Sequence, residues 1–374
     1  MSFVWGLVLG ALVGVLIERL VGHPFDHLIL KPTLALLRRS RMRRLNSRLK
    51  VSGEVSIIRD SALFVHQFVS NGLDSKNLIA QMASDPVTLK ERHEQSSMSK
   101  HFPLVSDLSS RIDSWAMKLE ADPHFWNGTS LALYRCDVSR TPRAEEPVFV
   151  MQFREENYAT FCAIDEIWQS TGAETRRSFD GDRLRQVDPL LSNCFGINCT
   201  VETADGQVLL TTRSTLARSW ASHSHVSFNE GLSSLDRRPG GVVDVLGAFE
   251  RGFQEEIGVS IRELPDFFNR LVIHSLVLDV DRYQWALLAH LNLENTSLTS
   301  TKLSAMRSLG AATDDWEASD VRFISFSDSP TAVLSELKSS RPWVAHGLLN
   351  LALSAIHRHP ASADEIRDAV VSLD

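Results

Sequence analysis

Apolar residues recur every three or four positions between residues 242 and 257, which is the spacing of one face of an α-helix. The stripe consists of Val242, Leu246, Phe249, Phe253 and Ile257. Gly258 follows at once, at a position where a left-handed glycine commonly ends a helix. The pattern therefore predicts an amphipathic helix over residues 242–257 with one buried face and a defined end.

Strand patterns flank this helix on both sides. Residues 198–214 predict a hairpin, because two β-rich runs surround Asp205-Gly206, a pair that supports the positive φ angles of a tight turn. Further strands are predicted at 271–280, 284–293 and 321–326, and a final helix at 342–357. This order predicts an α/β domain over residues 190–360, followed by a C-terminal tail at 361–374.

The middle of the chain, residues 51–189, carries weaker patterns. The apolar positions Leu63, Phe64, Phe68 and Val69 indicate a helix over residues 62–69. Residues 129–138 and 147–153 predict strands, and residues 158–168 predict a helix. We expect an α/β accessory region without a recognisable catalytic motif.

A nearly continuous apolar segment opens the chain. Residues 3–17 are uninterrupted apolar sequence, and Leu20, Val21 and Gly22 extend it beyond Glu18-Arg19. A bilayer span needs about 20 apolar residues and at least about 17. Residues 1–23 therefore predict a transmembrane anchor that uses residues 3–22. A removable signal peptide and a buried core helix are the alternatives, although no basic n-region precedes the segment.

The charges around this segment predict its orientation. Residues 1–50 hold nine Lys and Arg against two acids, and no Lys or Arg precedes the apolar run. The positive-inside rule then predicts a single-pass protein with its C-terminal domains in the cytoplasm. The basic residues from Arg38 to Lys50 are expected to contact anionic lipid. A solvated basic linker over residues 24–50 explains them equally well.

Three glycines, Gly6, Gly10 and Gly14, recur every four residues within the apolar run. On a helix they share one face and permit close approach of a second helix, which predicts self-association in the membrane. The alternative is that glycine is simply common in membrane helices.

The formal net charge of the whole chain is −7. Because the first 50 residues are basic, the rest of the chain is strongly acidic. Broad nucleic-acid binding depends on neutralising phosphates, so this composition argues against it. The four cysteines form no CxxC pair and no Cys/His zinc spacing, and they are consistent with a reducing compartment.

The end of the predicted 242–257 helix resembles the signature of the Nudix hydrolase family, G-x5-E-x7-R-E-U-x-E-E-x-G-U, where U is a bulky aliphatic residue. The second half is matched by Arg251, Glu255, Glu256, Gly258 and Val259, with Phe253 a looser fit. The resemblance covers residues 190–360 and implies a Nudix-type α/β/α sandwich.

The chain departs from this signature at three places. Gly252 stands where the family has its first helical Glu. Strict counting places Arg237 and Val243 at the leading Gly and the loop Glu. The Gly240-Gly241 pair lies too close to the helix. Asn229-Glu230-Gly231 is therefore predicted to take the loop part, with residues 232–241 as an insertion.

The resemblance implies metal-dependent hydrolysis of a nucleoside diphosphate derivative. Carboxylates at i, i+3 and i+4 of a helix share a face and can hold Mg²⁺ or Mn²⁺ against a pyrophosphate. The metal screens the phosphate charge and lowers the pKa of an attacking water. Glu255 and Glu256 are the predicted catalytic metal ligands, and Glu230 is predicted to compensate for Gly252. The alternative is a solvated acidic turn capped by glycine.

Other candidate residues lie outside the helix face. Glu317 is predicted as the distal base or ligand that many family members place in this loop, with a surface acid as the alternative. Arg251 is expected to orient Glu255, four residues on. Arg213 is predicted to contact a substrate phosphate, or else to be a strand-end cation. His223 and His225 are weighed as metal ligands, but without a third ligand they are favoured as ordinary strand residues.

Three function classes remain open from the sequence. The leading hypothesis is a membrane-anchored hydrolase that cleaves a pyrophosphate bond with a divalent metal. The first alternative, favoured by Gly252, is a membrane-tethered Nudix-fold sensor that binds such a nucleotide without cleaving it. The second is a membrane interaction protein that uses the middle region as a scaffold. Fold alone does not decide among them.

Overall fold

The computed structural model describes part of the chain. The described residues are 55–58, 61–67, 73, 77–84, 87–121, 127–140, 147–172, 176, 187–191, 194–217, 219–312 and 318–371. The predicted anchor at 1–23, the basic segment at 24–50 and Glu317 lie outside them. Among the described residues, no helix is both long enough and apolar enough to cross a bilayer.

The described chain contains both strands and helices, in mixed order. The strands are β1 Val55–Ile58, β2 Ser61–Gln67, β3 Leu78–Met82, β4 Thr129–Arg140, β5 Pro147–Asn157, β6 Gly196–Glu202, β7 Gln207–Arg213, β8 Ser224–Val226, β9 Phe228–Gly231, β10 Leu271–Asp279, β11 Gln284–Asn292 and β12 Ala318–Ser325. The α-helices are α1 Leu89–Gln95, α2 Val105–Ala121, α3 Tyr158–Ser170, α4 Val245–Gly252, α5 Phe267–Arg270, α6 Ser300–Ser308, α7 Thr331–Leu337, α8 Ala345–Arg358 and α9 Ala363–Val371.

Nine of the described strands form one mixed sheet. Its main path runs β1-β2-β10-β11-β6-β7-β12, with β9 paired to β6 and β8 paired to β7. The β11–β6 pair is parallel, whereas the neighbouring β10–β11 and β7–β12 pairs are antiparallel. The other described strands form a smaller sheet in the order β3-β5-β4.

Side chains of the central strands alternate between two apolar layers. Leu287 and Ala289 of β11 pack in the same cluster as Phe249 of α4. The intervening Leu288 packs with Leu353 of α8 on the other side. Because successive side chains of a strand point to opposite faces, α4 and α8 cover opposite faces of the sheet. The mixed α/β class predicted from the sequence is confirmed.

The elements predicted between residues 198 and 357 are confirmed, with small shifts of their ends. The hairpin consists of β6 and β7, and Gly206 turns the chain between them with φ of 71°. The next two strands are β10 and β11, and the last strand and helix are β12 and α8. In the middle region, β4, β5 and α3 also lie where the pattern places them.

Two predicted features are wrong. A helix was predicted over residues 62–69, but residues 61–67 are strand β2, which pairs with β10. Val242 does not belong to the buried helical stripe: it is 51% exposed and precedes the helix. The helix starts only after Asp244, whose carboxylate accepts the backbone N–H of Gly247 at 2.7 Å.

The middle region and the 190–360 region share one hydrophobic cluster. It joins Phe153 of β5 and Trp168 of α3 to Phe195 and Val280. The indole N–H of Trp168 donates to the Val280 carbonyl at 2.9 Å. Residues 52–374 form one compact unit. The domain boundary near residue 190 stays a prediction.

The C-terminal residues 363–371, within the predicted tail, form α9. Its Ile366, Ala369 and Val370 are buried in the apolar cluster that also contains Leu63 of β2 and Leu351 of α8. The end of the described chain is therefore part of the core on the α8 face.

Asp279, at the end of β10, has a buried carboxyl group that is only partly hydrogen-bonded. It accepts the backbone N–H groups of Asp281 and Arg282 at 3.0 and 3.2 Å. Its Oδ2 has no hydrogen-bond partner among the described residues. Burial, with a contribution from the charge of Asp281, raises the pKa of Asp279 to about 7. The folded protein thus retains a proton here that the unfolded chain releases at lower pH.

We predict that Asp279→Asn stabilises the protein selectively at neutral and alkaline pH. Because the folded pKa is raised, the free energy of unfolding of the wild type falls as pH rises from about 4 to about 7. The asparagine amide does not titrate, so the variant should not lose this free energy of unfolding, which amounts to roughly 2–4 kcal/mol. Urea unfolding at pH 4.5 and pH 8 measures the difference. Asp364→Asn, at an exposed carboxylate of α9, is the control and should leave it unchanged.

Candidate functional site

The predicted signature segment forms α4 and one wider turn. After the α-helical residues 245–252, Phe253–Ile257 forms a π-helical turn. Gly258 then ends the element in the left-handed conformation, with φ of 84°, as predicted. Phe249, Phe253 and Ile257 are buried, so the opposite side carries Arg251, Glu255 and Glu256 toward polar surroundings.

Arg251 lies at the centre of a cluster of carboxylates. Its Nη1 is 2.8 Å from Glu230 Oε1 and 3.5 Å from Glu255 Oε2. Its Nη2 is 2.9 Å from Asp236 Oδ2 and donates to the Gly231 carbonyl at 3.0 Å. One guanidinium therefore joins β9, the turn at residues 234–236 and the end of the helix. The predicted pairing of Arg251 with Glu255 is present, but it is the longest of these contacts.

Glu230 is held inside this cluster. Its Oε1 contacts Arg251 and also accepts the backbone N–H of Gly231 at 2.8 Å. Burial raises the pKa of Glu230 to about 7; the nearby Glu255 adds to the rise and Arg251 opposes it. The effect of burial on the Glu230 carboxyl group therefore outweighs the compensation from Arg251.

Glu256 connects the helix end to the large sheet. Its Oε1 accepts the backbone N–H of Asn229 in β9 at 3.0 Å. The Arg307 guanidinium of α6 donates to the Glu256 backbone carbonyl at 2.6 Å. The structure thus brings Glu256 to the same strand that carries Glu230. Glu230, Glu255, Glu256 and Arg251 form one polar region at the end of α4.

Gly252 lies where a side chain has no room. A Cβ at this position would stand 2.9 Å from both Glu230 Cβ and the Phe228 ring. With β9 in this position, there is no room at residue 252 for the first helical carboxylate of the signature. The side chains of Phe228 and Glu230 fill the space that a residue at position 252 would need.

Asp236 is a member of the cluster that the sequence did not indicate. Its side chain is only 5% exposed, and its Oδ2 accepts the Ser233 backbone N–H at 2.8 Å as well as contacting Arg251. It lies inside the predicted insertion 232–241. A Ser-x-x-Asp capping pattern at residues 233–236 was the available signal that this loop is ordered.

The other predicted site residues lie elsewhere. Arg213, at the end of β7, donates through Nε to the Ser219 carbonyl at 3.1 Å. His225 does not pair with His223; its Nε2 lies 3.4 Å from Nε2 of His346 on α8. Burial lowers the pKa of both His225 and His346, so these imidazoles are neutral in the core. Glu317 is outside the described residues.

The chemistry of the donor set fits a hard divalent cation. Glu230, Asp236 and Glu255 contact Arg251, and Glu256 follows Glu255 on the same turn; Mg²⁺ and Mn²⁺ prefer such oxygen ligands. Among the residues that the structure describes, no three His, Cys, Asp or Glu side chains are placed so that they could together hold a metal ion. Water and substrate oxygens commonly complete the coordination of Mg²⁺ at phosphate-processing sites.

We predict that a side chain at position 252 destabilises the protein. Gly252→Ala and Gly252→Glu force Phe228 or Glu230 to move, and overpacking of this kind costs about 1–3 kcal/mol. Denaturant unfolding measures the change in the free energy of unfolding. Gly231→Ala is the matched control, since its Cβ would meet nothing within 4 Å. Equal stability of the Gly252 and Gly231 variants would contradict the packing argument.

Comparisons with known proteins add little to this geometry. No protein-family model matches the sequence, and no curated protein matches it. Among solved structures, the chain is similar to the crystal structure of DR0079 from Deinococcus radiodurans, at 12% sequence identity and a TM-score of 0.28. The match covers 42% of this chain and 81% of DR0079. Similarity at this level carries no argument about function.

Proposed function

We propose that this chain is a Nudix-type hydrolase that cleaves a pyrophosphate bond in a nucleoside diphosphate derivative. The observation that carries the proposal is the carboxylate cluster around Arg251 at the end of α4. A cluster with this excess of negative charge attracts a divalent cation, and a pyrophosphate needs such a cation to offset its own charge. The match of Arg251, Glu255, Glu256, Gly258 and Val259 to the family signature supports the same assignment.

Each residue of the cluster has a proposed role. Glu255 and Glu256 hold Mg²⁺ or Mn²⁺, and Glu230 is a further ligand. Arg251 positions Glu230 and Glu255, since its Nη1 contacts both. Burial, with a contribution from Glu255, raises the pKa of Glu230, and a bound cation would favour the charged form of this carboxylate. When bound, the metal would screen the pyrophosphate and acidify an attacking water.

Roles are also proposed for two further residues. Arg213 is proposed to contact a substrate phosphate, and Glu317 to act as the distal base or ligand. We further propose that residues 3–22 anchor the protein in a membrane as a single pass, with the C-terminal domains in the cytoplasm. Anionic lipid at Arg38 to Lys50 and self-association through Gly6, Gly10 and Gly14 belong to the same proposal.

A nucleotide-binding sensor without hydrolytic activity is the second candidate. Gly252 favours it, because the signature's first helical carboxylate is absent and packing excludes a replacement there. Glu230 contacts Arg251 and comes from the strand that fills this space. Whether Glu230 substitutes for the missing carboxylate is the chemical difference between the two candidates.

We predict that Glu256→Gln abolishes turnover of a nucleoside diphosphate derivative. Purified protein would be given nucleoside diphosphate sugars, dinucleotides and ADP-ribose with Mg²⁺ or Mn²⁺. The glutamine keeps an oxygen for the Asn229 N–H but loses the charge. We expect kcat/KM to fall about 100-fold or more, as when a group that stabilises transition-state charge is removed. Glu250→Gln, on the same helix, is the control and should stay close to wild type.

The outcomes of this experiment separate the candidate functions. Turnover that depends on both Glu256 and the added metal supports the hydrolase. Tight nucleotide binding without turnover supports the sensor. If the protein neither turns over nor binds any member of the panel, both nucleotide-based candidates are wrong and an interaction scaffold remains.

A further inference from the structure

A cavity of about 390 Å³ opens beside the C-terminal end of α8. This volume falls within the range of small-molecule sites, roughly 300–1,000 Å³. Its wall is mostly polar and includes Asn269, Arg270, His290, Asn292, His357 and Arg358. The residues come from α5, β11 and α8, so three elements converge on one space.

This cavity lies on the face of the sheet opposite to α4. His290 is two residues after Leu288 on β11, so both side chains point to the same face. Leu288 packs against Leu353 of α8, and Arg358 of the same helix lines the cavity. The carboxylate cluster around Arg251 is on the α4 side. The two sites are therefore separate.

The wall of the cavity contains one acid, Glu294, and several side chains with N–H donors. Among the described residues, Arg358 makes two ion pairs, at 3.3 Å to Glu202 and 3.7 Å to Glu294, but no hydrogen bond. Arg270 donates through Nε to Asp266 and through Nη1 to the Glu294 carbonyl, which leaves its Nη2 toward further acceptors. The Asn292 amide oxygen already accepts the Glu294 N–H at 2.7 Å, so this side chain offers its NH₂ group.

Buried polar atoms behind the wall are also incompletely paired. His290 and Glu202 are 2% and 1% exposed, and their Nε2 and Oε2 atoms lie 3.3 Å apart. Neither atom makes a hydrogen bond with the described residues. Buried polar groups are normally satisfied, and exceptions call for a partner such as a ligand or water. His290 also lines the cavity, so this pair lies directly behind the cavity wall.

We propose that this cavity binds a small molecule through a phosphate group. A phosphate monoester offers three strong acceptor oxygens, which suits a wall rich in N–H donors better than the two oxygens of a carboxylate. Guanidinium groups bind phosphate in a bidentate manner. Glu294, whose side chain is 53% exposed and 3.7 Å from Arg358, can turn to solvent and release that arginine. The cavity exceeds the size of a phosphate ion, which leaves space for the group that carries the phosphate.

Calorimetry with the full-length protein in EDTA tests this proposal. The probes are inorganic phosphate, AMP and, as the probe without phosphate, adenosine. Asn292→Asp keeps the acceptor for the Glu294 N–H but adds a negative charge to the wall, so we expect phosphate or AMP affinity to fall about tenfold. Asn269→Asp adds a charge at a second, exposed lining position. Arg367→Gln on α9 and Glu256→Gln in the other site are controls, and both should bind as wild type does.

Each outcome of the calorimetry either supports or overturns the proposal. Binding of phosphate and AMP indicates recognition of the phosphate alone, and binding of AMP alone indicates a phosphate monoester; both support the site. The proposal is overturned if the wild type binds neither, if adenosine binds as well as AMP, or if both aspartate variants bind normally. Loss of turnover in Glu256→Gln with unchanged AMP binding would separate this site from the proposed hydrolytic one.

Discussion

The neutralisation of Arg251 determines how the polar region of this protein is built. A largely buried guanidinium is stable only when acids surround it, because an unpaired charge in a dry environment is costly. Glu230, Asp236 and Glu255 meet that need from three separate segments. The contact that stabilises one cation thereby fixes where the strand β9, the 234–236 turn and the helix end lie relative to one another.

The arrangement of acids around Arg251 also leaves a surplus of negative charge. Three acids contact one arginine, and Glu256 follows immediately on the same turn, so the cluster is electrostatically incomplete. Burial raises the pKa of Glu230, and the nearby charge of Glu255 adds to the rise. The additional carboxylates are the physical support for the proposal that this region has a cation-dependent function.

Local sequence patterns predicted those elements whose deciding contacts lie close together in the sequence. The spacing of Phe249, Phe253 and Ile257 located the buried face of the helix, and Asp205-Gly206 located the hairpin. The same reasoning failed for residues 62–69, since Leu63 and its neighbours suit a helix or a strand equally. The deciding partner, β10, lies some two hundred positions later in the chain, where no local pattern reaches.

Local sequence patterns likewise predicted only part of the candidate site. Glu255 and Glu256 were predicted from their match to the family signature at the end of one helix, and Glu230 from the Asn229-Glu230-Gly231 segment that takes the loop part. Asp236 could not, since its role depends on a loop folding back onto Arg251. The cavity beside α8 was equally invisible, because Arg270, His290 and Arg358 come from three elements with no common sequence motif.

The burial of α9 against the first strands has a consequence for biosynthesis. Leu63 and Ile366 belong to one apolar cluster although most of the chain separates them, and α9 contacts β1 directly. During synthesis the early strands emerge long before the helix that covers them. The nascent protein must therefore carry an uncovered apolar surface until residues 363–371 arrive, a situation that favours aggregation. The order of the elements along the chain therefore increases the need for chaperones during synthesis.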